Sequence, residues 1–440
     1  MNTQIHAGEV DLLYLHQNNK DRYPFLLESV AHGTDQARYS ILFAFPGETI
    51  QCDDLHRSNE FLQQFEQSIA QIQTVSESKL PFTGGWFVFL GYELVQGIEP
   101  GLRLPDFPLA FPVAFATRCP AAVIVDHAAG TTILISESES IEYLDTMQVD
   151  ISNLHTEKNH LSLNVDTIVE DEPDEYLTGV KRIINYIRDG DVFQVNLSRA
   201  WKTMLEEDLP ASVVYQCLRQ SNPSPFACLV HHEQGDIISS SPERLVTSRE
   251  GQVETRPIAG TRKRTGDDED IQLMDELRTD HKERAEHVML IDLERNDLGR
   301  ICRPGSIEVN EMMILESYAH VHHIVSNVRG ILRDDVSPVD IIRAVFPGGT
   351  ITGCPKVRCM EIIAELEKQG RGPYTGSVGY VNRDGSMDLN ILIRTIFKKG
   401  CTLYFRTGAG IVADSDPSKE LAETRHKAKG LLLALNDDAC

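Results

Sequence analysis

The pattern of apolar and polar residues divides the chain into two differently written parts. Over residues 1 to about 150, short apolar runs such as SILFAF (40–45), GWFVFLGY (85–92), AAVIVDH (121–127) and TTILIS (131–136) are separated by turn residues, which predicts mostly strand. From Asp150 to Glu175 the chain turns polar and acidic without being Gly/Ser-rich, and reads as a surface crossing rather than a flexible linker. Tyr176, Val180, Ile183, Ile184 and Ile187 then recur at helical spacing and stop at Gly190, predicting a helix over 174–189. In VFQVNLSRAW (192–201), Phe193, Val195 and Leu197 alternate with Gln194, Asn196 and Ser198, the signature of a strand with one polar face. A long charged helix is predicted over 268–294. YTGSVGYVNR (374–383) and MDLNILIRTIF (387–397) flank Asp384-Gly385, a hairpin signal, and CTLYFRT (401–407) follows as another strand. The last predicted helix runs from Pro417 to about Leu435, with Asp416 as its cap. Strand runs broken by single long helices, without βαβ alternation, predict an α+β fold of mainly antiparallel sheets. The expected organisation is an N-terminal region over 1–150 and a second region over 174–436, intertwined as one globular unit.

Composition narrows the function classes. With 440 residues, 41% hydrophobic and 25% charged, the chain fits a soluble globular protein with a sizeable core. The formal charge of −24 argues against nucleic acid or an anionic membrane as partner. A small anionic ligand would need cations gathered locally. Nine scattered cysteines without a CxxC pair read as a reduced chain with no zinc site. Asp11 and Glu9 interrupt the stretch where a signal peptide would need apolar residues, and no 18-residue apolar segment occurs, so the expected location is cytoplasmic.

Several short stretches could carry chemistry. Glu283 and Glu286, and likewise Glu420 and Glu423, are spaced i,i+3 on predicted helices, so each pair shares one face. Four such carboxylates suit a hard cation such as Mg²⁺, although Glu-x-x-Glu is also an ordinary solvated pattern. Arg394 lies within apolar ILIRTIF, where its planar fork would bind either a structural carboxylate or an anionic ligand. RTGAG (406–410) could end a strand in a nest of backbone N–H groups or be a plain turn. FPGGTITGCPK (346–356) has glycines at phosphate-loop spacing, but Cys354 and Pro355 replace the Lys and Ser/Thr such a loop needs, which excludes nucleotide binding there. Thr350 and Lys356 remain beside a predicted helix start. Glu243 in SSSPERL is a candidate general acid. In SYAHVHHIVSNV, His320 and His322 share one face of an alternating strand and His323 takes the other.

Taken in order, SPER, PIAGT, ERAEHVMLIDLERNDLGR, HHIVSNV, FPGGTITGCPKVRCMEII, GPYTGSVGY, IRT, TGAGIVADS and ELAET resemble the chorismate-utilising enzymes: anthranilate synthase and aminodeoxychorismate synthase components I, and the isochorismate and salicylate synthases. The resemblance is dense over 175–435 and extends into FLLES (25–29) and GYELVQGIEP (91–100). It implies the anthranilate-synthase-like α+β fold, two mainly antiparallel sheets packed as a sandwich with flanking helices. It also implies Mg²⁺ held directly by Glu286 and Glu423, with Glu283 and Glu420 reaching it through water. Tyr374 and Arg394 would clamp the enolpyruvyl carboxylate with the backbone of Gly408, Ala409 and Gly410, while Thr350 and Lys427 fall on binding positions. Glu243 resembles the acid that protonates the leaving hydroxyl, and His323 the histidine near the ring.

Gln194 stands where the water-using members carry a lysine base, so ammonia is the expected nucleophile. PIAGT, with Ala259, resembles anthranilate synthases, since aminodeoxychorismate synthases usually read PIKGT with a nucleophilic lysine. FQVNLSR, SPER and FPGGTITG resemble the aminodeoxychorismate branch, and the expectation follows that branch. Ala259 then implies a noncovalent 2-amino intermediate, with Thr261 lining the ammonia side. No glutaminase domain is recognisable in the chain, which implies a separate glutamine amidotransferase subunit. Leu27, Glu28 and Ser29 resemble an element that binds tryptophan in relatives, or are a simple strand edge.

Overall fold

The strand-like runs of the two regions pair with one another rather than closing separate sheets. In the computed structural model, which describes residues 1–31, 37–154, 163–264, 270, 274, 281–317 and 321–436, twelve strands form one sheet and ten a second. The first runs from Asn2–Ala7 through Thr131–Ser136, Ala121–Asp126, Tyr39–Ala44 and Phe25–Glu28 into Phe226–His232, Gly235–Ser241, Thr395–Lys399, Thr402–Ile411, Gln194–Met204 and Gly353–Cys354. The second runs from Ile258–Lys263 through Val321–Ile331, Gln252–Thr255, Arg244–Arg249, Met387–Asn390 and Ser377–Asn382 into Gly85–Leu90, Ala114–Cys119 and Thr49–Cys52. The seams between early and late strands are antiparallel: Leu27 faces Cys228, and Phe87 faces Tyr380.

The sheets face each other across an aromatic core. Phe25, Phe43, Phe87, Phe89, Phe115 and Phe397 are buried there, and Phe25 stacks on Phe87 with ring centroids 4.0 Å apart. Burying such rings is worth about 1.5–3 kcal/mol each, which is why this layer holds the sheets together. Helices cover the outer faces. Pro173–Arg188 lays Tyr176, Val180 and Ile183 on Val195, Leu197, Ala409 and Ile411, and so backs the strands that carry Gln194 and the Gly408–Gly410 segment. Pro417–Ala434 begins where the Asp416 side chain accepts from the N–H groups of Ser418 and Lys419, the cap its sequence indicates.

Two expectations need correction. MDLNILIRTIF is two strands, not one: Met387–Asn390 ends in the second sheet and Thr395–Lys399 begins in the first. Ile391 and Leu392 bury in different cores and Arg394 takes φ 51°, so an apolar run that looks continuous is a change of sheet. The segment around Ala259 is a strand, Ile258–Lys263, with a bulge between Ala259 and Thr261 and Gly260 at φ 69°. The charged helix runs over His281–Gly299, past the expected end at 294; most of 268–280 lies outside the described residues, as does His320. Among the described residues, cysteines 52, 119, 228, 302, 354, 359 and 401 are free. Among the described residues no helix is long and apolar enough to cross a membrane.

Candidate active site

Side-chain approach at one edge of the first sheet depends on two glycines. In the pairing of Gln194–Met204 with Thr402–Ile411, Asn196 faces Gly410 and Ser198 faces Gly408. A Cβ on Gly410 would lie 2.3 Å from Gln194 Nε2, so the glutamine amide rests directly on that glycine. A Cβ on Gly408 would lie 2.6 Å from Asn196 Oδ1, 2.8 Å from the Leu197 carbonyl and 3.0 Å from Tyr374 Oη, which places the phenol over the same strand. The Ser198 N–H turns away to Glu367 at 2.8 Å, and the Gly408 carbonyl accepts from Lys427 at 3.1 Å. Ser198 and Gly408 are therefore a non-hydrogen-bonded pair of the ladder, and the Gly408 peptide points to its far side. There the neighbouring strand stops pairing beyond Ile396–Phe405. The expected nest at a strand end is thus corrected: RTGAG lies inside a strand, and its outward peptides come from the loss of a neighbour.

Tyr374 is held by a charged network that sequence reading did not identify. Glu367 accepts from Arg371 at 2.7 and 3.0 Å, from Arg406 at 3.0 Å and from the Ser198 hydroxyl at 2.8 Å. Arg371 also donates to the carbonyls of Asn196 at 2.7 Å and Ile351 at 3.0 Å. From the N-terminal region, the buried Glu93 accepts from the N–H groups of Arg371 and Gly372 at 2.5 and 3.0 Å. The backbone before Tyr374 is thereby fixed from three directions. The two guanidinium groups hold the Glu367 carboxyl below its ordinary range against the opposing effect of burial. Burial pushes the Tyr374 phenol up to about 12, so it stays a neutral hydrogen-bond donor. The signal available in the sequence was an arginine within QGRGPYTG, three residues before Tyr374.

Glu243 and Arg394 both lie where the chain changes sheet. Glu243 follows Gly235–Ser241 and precedes Arg244–Arg249; Arg394 stands between Met387–Asn390 and Thr395–Lys399. Burial pushes the Glu243 carboxyl up to about 7, opposed by Thr350, the Ile258 backbone, Lys427 and Arg394. The Thr350 hydroxyl is buried beside this group without a geometrically satisfied hydrogen bond. Arg394 is half-buried, its guanidinium is drawn down by desolvation, and Glu243 is the charge that opposes this. Among the described residues Arg394 makes no ion pair within 4.0 Å. Thr350, Lys427 and Arg394 thus each bear on Glu243, while Tyr374, Gln194 and Gly408–Gly410 assemble along the Gln194–Met204 and Thr402–Ile411 pair.

Other predicted residues fall around this group. His323 is buried, opposite Thr261 on one side and Glu316 on the other. The side chains of Ala259, Thr261 and His322 lie outside the described residues. Glu420 is buried, and Glu423 is exposed and paired with Lys427 at 2.8 Å. Glu283 and Glu286 are half-buried on the first turns of His281–Gly299. Among the described residues no three His, Cys, Asp or Glu side chains form a group able to hold a metal, and the four glutamates stand as two pairs on two helices. Carboxylate oxygens in pairs still suit Mg²⁺, which takes one or two carboxylates and completes its shell with water and substrate oxygens.

Leu27, Glu28 and Ser29 belong to a different place. They line a cavity of about 290 Å³ with Tyr39, Phe226 and Arg244 among its other walls. Glu28 accepts from Tyr215 at 2.7 Å and Arg219 at 3.1 Å, and the Ser29 hydroxyl donates to the Tyr39 and Pro225 carbonyls at 2.9 and 3.1 Å.

The arrangement can seat a carboxylate at a neutral phenol and an unpaired guanidinium, and deliver a proton from a buried carboxyl nearby. Residues 23–433 match the family described as chorismate binding enzyme. The chain is 47% identical over 360 residues to an anthranilate synthase component I-like protein of Synechocystis sp., covering 81% of this chain and 73% of that one. It is 40% identical over 440 residues to aminodeoxychorismate synthase component 1 of Bacillus subtilis, covering 94% and 92%. The crystal structure of anthranilate synthase component I from Streptococcus pneumoniae superposes with a TM-score of 0.80 at 31% identity, covering 91% and 93%.

Proposed function

Because the chain belongs to the chorismate-binding enzyme family, we propose that it aminates chorismate as an aminodeoxychorismate synthase component I, forming 4-amino-4-deoxychorismate on the way to 4-aminobenzoate and folate. The observation that carries this reading is Gln194, buried with its amide against Gly410. A neutral amide cannot take a proton from water, and ammonia needs no base to attack. FQVNLSR, SPER and FPGGTITG favour the aminodeoxychorismate product, and a relative of that name matches over nearly the full length of both chains.

In this reading Tyr374 and Arg394 bind the enolpyruvyl carboxylate, with the outward peptides of Gly408 and Gly410 alongside. Glu243 carries a proton near neutral pH and gives it to the C4 hydroxyl, which leaves as water while a first ammonia attacks C2. A second ammonia then adds at C4 and expels the C2 amine, with no covalent enzyme intermediate because Ala259 offers no nucleophile. Glu286 and Glu423, backed by Glu283 and Glu420, would hold a Mg²⁺, which supplies charge neutralisation at the ring carboxylate. Ammonia would come from a separate glutamine amidotransferase subunit. The cavity at Leu27–Ser29 is proposed as a site for tryptophan.

A second reading, anthranilate synthase component I, is favoured by Ala259 and by the names of several relatives. Incubating the protein with chorismate, Mg²⁺ and ammonium, with and without aminodeoxychorismate lyase, separates the two. 4-Aminobenzoate appearing only with the lyase supports the first reading; fluorescent anthranilate without it supports the second. An enzyme–chorismate adduct in intact mass would overturn the noncovalent scheme.

A further inference from the structure

Between Gln194 and Ser198, on the polar face of the same strand, stands Asn196. Its main chain is engaged at both ends: the N–H donates to the Thr352 carbonyl at 2.9 Å, and the carbonyl accepts from Arg371 at 2.7 Å. The residue is thus fixed in place, while its half-buried amide can still turn about its last bond. The amide Oδ1 is buried without a hydrogen-bond partner. It lies 2.6 Å from the point where a Cβ on Gly408 would sit, and the Leu197 carbonyl oxygen and Tyr374 Oη lie 2.8 and 3.0 Å from that same point. Three oxygens gather at one bare glycine, and only the phenol brings a hydrogen of its own. An acceptor buried in this way costs stability unless a donor reaches it.

We propose that Asn196 is a positioning residue for Tyr374: with its amide turned so that Nδ2 takes the place of Oδ1, it donates to the phenol oxygen and commits the phenol hydrogen to the bound carboxylate. The inference rests on the reading of Tyr374 as part of the carboxylate clamp. The two ends of an amide are nearly equal in size, so the exchange needs no repacking. With Oδ1 inward, the amide competes with the ligand for the phenol hydrogen. With Nδ2 inward, it takes a lone pair of the phenol oxygen instead, and the hydrogen is left for the ligand. A carboxylate binds the second arrangement better and therefore shifts the amide toward it. The other polar side chains of this face are placed differently: the Ser198 hydroxyl is engaged with Glu367 at 2.8 Å and Arg406 at 3.0 Å, and the Gln194 amide rests on Gly410.

The test is a double-mutant cycle on the full chain, read as the Kd for chorismate with Mg²⁺ and without ammonium by titration calorimetry. Asn196→Leu keeps the shape of the amide and removes both polar ends, and should weaken binding roughly tenfold. In a Tyr374→Phe background the same substitution should change Kd by less than about twofold, because the phenol through which Asn196 acts is gone. An unchanged Kd in the single variant overturns the proposal. So does an equal loss in both backgrounds, which is what a direct ligand contact or a packing role would give. Asn196→Leu removes an unpaired buried oxygen and should not lower the melting temperature; should it fail to fold, Asn196→Ala runs through the same cycle with the same expected outcomes. Binding without ammonium is indifferent to the product, so a wrong product assignment leaves this test standing. A native chain that does not bind chorismate overturns the clamp reading itself, whereas native binding without coupling to Tyr374 overturns the inference alone.

Discussion

Glu243 and Arg394, 151 positions apart in the sequence, are tied to each other's turn by two backbone hydrogen bonds: the Ile391 N–H donates to the Glu243 carbonyl at 3.0 Å, and the Ser240 N–H donates to the Arg394 carbonyl at 3.1 Å. Each occupies a point where the chain leaves one sheet for the other. The candidate acid and the candidate anion clamp are thus built on a single double crossing joined by these two hydrogen bonds.

Glu243→Gln should lower kcat roughly 100- to 10,000-fold, the usual contribution of a positioned acid. Its effect on stability has a definite sign. The native carboxyl keeps its proton up to about 7, while the unfolded chain releases it in the ordinary carboxylate range. The native protein therefore loses stability from this group as pH rises through that interval, and none below it. Melting temperatures of the variant and the native chain should diverge in favour of the variant between pH 5 and about 8. A parallel pair of curves would show that Glu243 is not a buried acid.

Arg394→Lys keeps the charge and loses the planar fork. With no structural carboxylate to release, the substitution should raise KM for chorismate roughly 10- to 100-fold while changing the melting temperature little. Steady-state kinetics beside a thermal melt check this. A large loss of stability with unchanged KM would identify Arg394 as structural.

Gly410→Ala and Gly408→Ala should fail in different ways. The obstacle at Gly410 is the tip of the Gln194 side chain, and at Gly408 it includes the Leu197 carbonyl. Both should cost about 1–3 kcal/mol of stability. Only Gly410→Ala should regain it when combined with Gln194→Gly. Equal rescue of both, by urea denaturation, would refute the side-chain account.

Glu93→Gln should destabilise the protein by about 1–3 kcal/mol. Both carboxyl oxygens accept backbone N–H groups, and an amide offers only one acceptor. Since those groups precede Tyr374, KM should rise more than kcat falls. Unchanged KM would mean that the turn holds without Glu93.

The chain's own pattern determined the α+β class, the helices at Pro173–Arg188 and Pro417–Ala434, and the ordered motifs that point to the family. Local periodicity and capping act between near neighbours, so they are written in consecutive residues. The tertiary structure decided what depends on distant segments. Arg394 reads as a strand residue because its apolar neighbours alternate without a break, yet those neighbours enter two different cores. Glu93, Glu367 and Arg371 carry no local signature, because their roles come from burying charge against peptides supplied by other strands and turns. Glu243 looks like an ordinary acidic residue in an acidic chain, and only its removal from water by the fold pushes its carboxyl up.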